Sequence, residues 1–236
     1  MTSTPEYVLK KIREAKEQRA KELDLSYDWS ETSQRLTHIP AEVFKLEDLE
    51  VLKLTGNTTV SVPKAISRLH NLTDLNLSNN RLSSLPNSIT ELQRLSALDV
   101  SFNSLTALPE PVGRLQNLTS LVLGYNKLTA LPESFTRLKN LTTLNVSSNQ
   151  LTNLPESIAE LQSLTALYVG GNKLATIPEW IARLGNLKEL DISSSRLTAV
   201  PEWVRGMQSL EHLMVGDSRL TTLPRWIDEL RNLQSL

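Results

Sequence analysis

Prolines recur along this chain at a fixed interval of 23 residues. Nine of the eleven prolines keep this interval, and they are Pro40, Pro63, Pro86, Pro109, Pro132, Pro155, Pro178, Pro201 and Pro224. A constant period over most of a 236-residue chain is the signature of a repeat architecture, in which each copy is one supersecondary unit. We therefore expect a stack of similar units rather than one or two globular domains.

Apolar residues fall into columns when the copies are aligned on these prolines. The chain contains 45 leucines, and they fill most of the columns. For example, Leu72, Leu75, Leu77, Leu82, Leu85, Ile89 and Leu92 recur as Leu141, Leu144, Val146, Leu151, Leu154, Ile158 and Leu161. The unit reads LxxLxLxxNxLxxLPxxIxxLxx, and eight full 23-residue copies run from residue 49 to residue 232.

This unit resembles the leucine-rich repeat family, and within it the 23-residue LPxxI subtype of Ras-binding scaffolds, LAP polarity proteins and Roco GTPases. The resemblance covers roughly residues 20–236. It implies an α/β solenoid shaped as a leucine-rich repeat horseshoe. Such a horseshoe has a concave parallel β-sheet, an irregular or 3-10 convex side and an N-terminal cap helix.

Elementary chemistry accounts for the main columns of the unit. The xLxLx segment has a period of 2, so a short strand presents leucine on one face and polar residues on the other. An asparagine column follows the strand, and its amide can satisfy backbone groups that the turn removes from the ladder. The column comprises Asn57, Asn80, Asn103, Asn126, Asn149 and Asn172, and Ser195 and Ser218 take its place in the last copies.

The two ends of the chain depart from the regular unit. Residues 1–22 are predicted to form an amphipathic cap helix with Val8, Leu9, Ile12, Ala15 and Ala20 on its apolar face. A basic helix on a lipid surface is the weaker alternative, because glutamates are interleaved with the lysines. The leucine-rich repeat domain then covers 23–236.

Within that domain, the first coil (23–48) carries about six extra residues near 26–35. They are either tolerated length variation or a contact loop presenting Tyr27 and Trp29. The last coil (233–236) is truncated and leaves Leu233 and Leu236 on a strand edge. We therefore expect a further C-terminal domain, a partner or a second copy in a homodimer to cover it.

Outward strand positions predict the composition of the concave face. Val122, Tyr168 and Met214 are apolar side chains that the core does not require, and interfaces favour such anchors among polar groups. We predict a protein-binding surface centred on Tyr168, with scattered surface apolar residues as the alternative interpretation. Its candidate residues are Asp99, Val122, Tyr168, Asp191, His212 and Met214.

Three further rows of side chains recur at the repeat interval. Trp180, Trp203 and Trp226 each lie two residues after a proline, and they form either a docking ridge or a cover over core leucines. Phe102 and Tyr125 precede the asparagine column in adjacent copies, where we expect them to pack on the rim. A basic row follows that column, and its members are Arg81, Lys127, Lys173, Arg196 and Arg219.

Residue types that carry chemistry are scarce. The chain has no cysteine and three histidines, and its eight glycines form no phosphate-binding motif, so we expect neither a metal nor a cofactor. His212 beside Glu189 and Asp191 is the nearest approach to a catalytic group, but an open sheet offers no water-poor pocket. A net charge of −1 disfavours nucleic acid, and no apolar run is long enough to span a membrane.

These features favour a non-catalytic protein-interaction module. The chain shows no secretory signal, and together with the missing cysteines this leads us to expect a cytoplasmic, signalling role. The resemblance also supports an alternative, the N-terminal regulatory domain of a larger protein such as a Roco-type GTPase.

Overall fold

The computed structural model of this protein describes residues 4–28, 34–193, 198–216, 220 and 222–236. Within these residues, nine three-residue strands pair in chain order into one parallel sheet. The strands are Glu22–Asp24 (β1), Val51–Lys53 (β2), Asp74–Asn76 (β3), Ala97–Asp99 (β4), Ser120–Val122 (β5), Thr143–Asn145 (β6), Ala166–Tyr168 (β7), Glu189–Asp191 (β8) and His212–Met214 (β9). The sheet confirms the predicted solenoid horseshoe.

A short 3-10 helix follows each repeat proline on the return side. The prolines have φ between −58° and −72°, which suits a helix start, and they need no partner for an N–H. The helices span Ala41–Lys45, Lys64–Arg68, Asn87–Glu91, Glu110–Arg114, Glu133–Arg137, Glu156–Glu160, Glu179–Arg183, Glu202–Gly206 and Arg225–Glu229. The convex side is therefore built from 3-10 turns, as the family resemblance implies.

The core lies between the sheet and these helices. The middle residue of every strand is a leucine at 5% exposure or less, and it stacks on the leucine of the neighbouring strand. Leucines of the turn and the isoleucine, valine or phenylalanine of each 3-10 helix fill the remaining space. Because a single coil cannot bury these residues alone, the stack as a whole provides the core.

Asparagine side chains join each coil to the one before it. The Asn126 amide nitrogen donates to the carbonyls of Leu123 and Val100, each at 3.0 Å, and its oxygen accepts from the Leu105 N–H at 2.9 Å. The same three-way pattern holds at Asn57, Asn80, Asn103, Asn149 and Asn172. The amide thus satisfies the backbone groups that the turn leaves unpaired, whereas Ser195 and Ser218 lie outside the described residues.

The N-terminal helix α1 spans Glu6–Glu17 and covers the first strand. Val8, Ile12 and Ala15 are its buried residues. The helix ends before Arg19, which has a left-handed φ of +47°. The chain then enters β1 at Glu22.

The predicted first-coil loop is described only at its two sides. The Arg35 guanidinium lies 4.6 Å from the centre of the Tyr27 ring, so a cation–π contact holds the two sides together. Trp29 lies outside the described residues. The idea of a contact loop therefore remains a prediction.

The last coil continues the sheet by a single bridge between His212 and Ser235. Leu233 packs partly against the core, while Leu236 is 50% exposed.

Candidate protein-recognition surface

Two columns of outward side chains form the concave face. The flanking column is the first residue of each strand: Glu22, Val51, Asp74, Ala97, Ser120, Thr143, Ala166, Glu189 and His212. The central column is the third residue: Asp24, Lys53, Asn76, Asp99, Val122, Asn145, Tyr168, Asp191 and Met214. All six candidate partner-binding residues therefore point outward from the same face.

Acidic and amide residues of the central column also terminate their strands. Asp99 Oδ1 accepts from the Ser101 N–H at 2.9 Å and from its hydroxyl at 2.7 Å. Asp191 Oδ1 likewise accepts from the Ser193 N–H at 2.8 Å. These are Asx turns, in which a side chain replaces the next backbone acceptor. One carboxylate oxygen of Asp99 and of Asp191 is thus committed to the fold, a role that the Asp-x-Ser spacing could have revealed.

The three coils with an apolar residue in the central column lack this Asx turn and have a glycine in its place. Val122, Tyr168 and Met214 are each followed two residues later by a glycine, where the Asx-turn coils have serine. A Cβ at Gly170 would lie 2.8 Å from Asp191 Oδ1 and 2.8 Å from Ser193 Oγ. At Gly124 and Gly170 glycine therefore leaves room for the Asx turn of the following coil, whereas a Cβ at Gly216 would meet no other atom within 4 Å. From Val122 to Met214, apolar side chains alternate with polar ones along the central column.

Tyr168 is held in place on the sheet. Its hydroxyl donates to Glu189 Oε2 on the neighbouring strand β8. Burial raises the pKa of Tyr168 to about 12, and the hydrogen bond to Glu189 and the charge of Asp191 act in the same direction. Ala166, two residues earlier on the same face, is only 6% exposed. Ala166 and Tyr168 are two residues apart on one strand and therefore line the same face of the sheet.

The concave face is acidic although the whole chain is nearly neutral. The two columns contain six carboxylates and one lysine, Lys53, which pairs with Glu22 at 2.6 Å. Burial raises the pKa of the Asp74 carboxyl, Lys53 lowers it, and Asp99 and Glu22 raise it again. Like charges are thus concentrated on this face.

His212 and the nearby carboxylates do not form a catalytic chain within the described residues. His212 Nδ1 is 2.7 Å from Ser235 Oγ, whereas the Glu189 carboxylate accepts from Tyr168. Sequence reasoning missed Ser235, whose place is set by the last bridge of the sheet. No cluster of three or more potential metal ligands occurs in the part of the chain that the structure describes.

The tryptophan row lies on the return side, in the last three 3-10 helices. Trp180 and Trp203 are partly buried against the core, and Trp226 is 9% exposed. The Trp226 indole N–H donates to Glu202 Oε2 at 2.7 Å. This geometry supports the packing interpretation, and docking through the row stays a prediction.

The residue before each asparagine of the column has a left-handed backbone. Gly56 and Gly171 adopt φ of +77° and +67°, and Asn79, Phe102, Tyr125 and Ser148 adopt φ between +52° and +57°. Glycine and asparagine tolerate this conformation, but bulky side chains rarely adopt it. The sequence did not predict this left-handed backbone, because only two of the six positions are glycine.

Phe102 and Tyr125 stack on each other at this strained position. Their ring centres are 4.2 Å apart with an interplanar angle of 8°, and they are 53% and 54% exposed. A left-handed conformation costs roughly 1–2 kcal/mol per residue. Stacking contributes only about 0.5–1.5 kcal/mol of stabilising free energy for the pair, and burial of half of each ring contributes a similar amount. The pair is therefore close to neutral for folding.

No helix in the described ranges is both long and apolar enough to cross a bilayer.

Comparisons with known proteins agree with this architecture. The family model described as leucine rich repeat matches residues 32–82, 62–105, 93–151, 116–174, 140–197 and 185–236. No curated protein sequence matches the chain significantly.

Three solved structures illustrate the structural likeness. A leucine-rich repeat protein of Leptospira interrogans is 29% identical with a TM-score of 0.71, over 95% of this chain and 68% of that one. The ectodomain of the membrane receptor kinase GASSHO1/SCHENGEN3 from Arabidopsis thaliana, in complex with Casparian strip integrity factor 2, is 27% identical with a TM-score of 0.62, over 83% and 27%. The PEPR1–AtPEP1 structure is 31% identical with a TM-score of 0.73, over 80% and 28%. Together, the sheet, the repeat unit and the family matches show that this chain belongs to the leucine-rich repeat family.

Proposed function

We propose that this chain is a non-catalytic protein-recognition module that binds its partner on the concave sheet face. The observation that carries the proposal is the outward placement of Val122, Tyr168 and Met214. The adjacent leucines of the same strands, Leu121, Leu167 and Leu213, are 0% exposed and already fill the core. The core does not need the three outward side chains, so they are available for contact with another molecule.

The surroundings of Tyr168 fit an interface better than an isolated surface residue. The ring is fixed by its hydrogen bond to Glu189, so little side-chain entropy is lost on binding. Asp99, Asp191 and His212 supply polar groups around the apolar anchors, as is usual at hot spots. One structural neighbour, a receptor ectodomain, was solved in complex with another factor, which supports a binding role for this fold.

A reducing compartment such as the cytoplasm is the proposed location, because a protein of this size without cysteine gains nothing from oxidising surroundings.

Site-specific photo-crosslinking tests the proposed surface. A photoreactive phenylalanine analogue replaces Val122 on the concave face or, as the matched control, Thr136 in the return-side helix Glu133–Arg137. In cells of the source organism, position 122 should crosslink a discrete partner that position 136 does not. Adding Tyr168→Ala should lower the crosslink yield roughly tenfold, as truncation of a hot-spot residue does. Equal crosslinking from both positions, or a yield that Tyr168→Ala leaves unchanged, would place the binding surface elsewhere.

A further inference from the structure

The fold does not require aromatic side chains at the positions of the stacked pair, Phe102 and Tyr125. The same position accepts glycine in Gly56 and Gly171 and asparagine in Asn79, all with the same left-handed backbone. Phe102 and Tyr125 nevertheless keep bulky rings there, with more than half of each ring exposed. The fold requires the left-handed backbone at this position but does not require a ring, so the two exposed rings are available for contact with another molecule.

Unpaired basic side chains flank this pair. The Asn80 N–H donates to the Phe102 carbonyl at 3.2 Å, which brings the next residue, Arg81, beside the pair. On the other side, Lys127 follows Tyr125 by two residues. Both cations are exposed, and neither forms an ion pair with any described residue.

Other basic side chains of the chain differ from Arg81 and Lys127 because they form ion pairs with carboxylates. On the return side, Arg205 forms two hydrogen bonds with the Glu229 carboxylate at 2.7 and 2.8 Å. On the sheet, Lys188 contacts Glu211 at 2.7 Å. Arg81 and Lys127 thus leave a positive potential around an apolar surface, opposite in sign to the acidic concave face.

We propose that Phe102 and Tyr125, between Arg81 and Lys127, form a second docking site for an acidic protein segment that carries an aromatic or aliphatic side chain. The apolar side chain of the segment packs on the exposed ring faces, and its carboxylates pair with the two cations. The four residues follow strands β3, β4 and β5 on three adjacent coils, so the site is rigid before binding. This rim site goes beyond the concave-face proposal and does not depend on it.

Selection from a displayed library of random peptides of about twelve residues tests the rim site. The full chain serves as bait, and the double variant Phe102→Asn, Tyr125→Asn serves for counter-selection. The enriched peptides should be rich in Asp and Glu and contain an aromatic or aliphatic residue. Asparagine is chosen because Asn79 shows that it fits this backbone.

Binding of an enriched peptide is then measured by fluorescence polarisation. Affinity should fall roughly tenfold or more in the double variant, because the apolar contact is lost. The charge-reversal variant Arg81→Glu, Lys127→Glu changes exposed positions only and should lower affinity by a similar factor. Tyr168→Ala should leave it unchanged, which separates this site from the concave one.

Several outcomes would overturn the proposal. They are a failure to enrich peptides, enrichment of basic ones, affinity that survives either double variant, or affinity that Tyr168→Ala removes. The unfolding midpoint of each variant is measured in parallel. If the asparagine variant unfolds, the affinity of the charge-reversal variant for the peptide decides whether the proposed site is correct.

Discussion

Tyr168 shows how a single outward residue acquires its properties from the neighbouring coil. Its hydroxyl donates to Glu189, and Asp191 adds a second negative charge nearby. The ionised form is disfavoured by burial first and by these carboxylates second. Any tyrosine is protonated at neutral pH, and the hydrogen bond to Glu189 gives this neutral ring a fixed orientation.

The titration of Tyr168 provides a test of this arrangement. Its pKa of about 12 lies above the ordinary tyrosine value of 10.0, so the unfolded chain loses this proton first as the pH rises. The stabilisation by the protonated hydroxyl is complete below the unfolded pKa and is lost as the pH rises through about 12. A near-ultraviolet absorbance titration of the wild type minus Tyr168→Phe should show this late ionisation.

The control for that titration is Glu189→Gln, which removes the charged acceptor but keeps the shape. It should move the midpoint of the difference titration toward the ordinary value. A wild-type midpoint already at the ordinary value would contradict the hydrogen bond to Glu189.

The outward position of Tyr168 could be predicted from the sequence, but its hydrogen bond could not. A period of 2 fixes which face of a strand a residue occupies. The choice of rotamer depends on a carboxylate 21 residues away, and only the stacked coils bring the two together. The bond between His212 and Ser235 escaped prediction for the same reason.

At the scale of the element, the asparagine column is the main link between successive turns. Each amide bonds backbone groups of two coils. Loss of Asn126, for example, leaves the Leu105 N–H without its acceptor and removes one of the two asparagine donors from the carbonyls of Val100 and Leu123. Because buried polar groups without partners are costly, the column should be far more sensitive to mutation than other asparagines.

Asn126→Ala and Asn140→Ala form a matched pair for this test. Asn126 is buried and makes three well-formed hydrogen bonds, whereas Asn140 is exposed and donates to the Gln116 carbonyl at 2.9 Å. We expect Asn126→Ala to lower the free energy of unfolding by about 2–4 kcal/mol and Asn140→Ala by less than about 1 kcal/mol, measured by urea denaturation. Equal losses would mean that the column does not join the coils.

The element boundaries show a different limit of sequence reasoning. The asparagine column could be predicted because one residue type recurs at a fixed place. The end of α1 could not, since the helical apolar spacing continues to Ala20. The chain instead turns at Arg19, and this turn lets Ala20 pack partly against the core beside the first strand.

At the scale of the whole molecule, the hydrogen bonds between coils that the described residues form join each coil to its direct neighbours. The contacts that join coils recur at fixed separations, such as the Leu128 N–H to the Asn149 side chain and the Ser96 N–H to the Thr73 carbonyl. Stability in such a stack is close to a sum of coil terms and nearest-neighbour interface terms. The repeat period therefore specified the architecture from the sequence, whereas the ion pairs between individual side chains, such as Lys53 with Glu22, required the structure.

Removal of one complete period tests this one-dimensional order. Deleting residues 140–162 brings Ser163 to the position of Asn140 and joins strand β5 directly to β7 in unchanged register. Serine suits that position, because Ser209 at the equivalent place donates to the Gly185 carbonyl at 2.8 Å. The shortened chain should fold with a similar circular dichroism spectrum and a lower thermal midpoint, since it loses one coil and one interface.

Deleting only residues 140–151 serves as the control, because half a period would put return-side residues into the sheet. This chain should not fold cooperatively. If both deletions gave the same unfolding transition, the coils would not be the independent units that the stack requires.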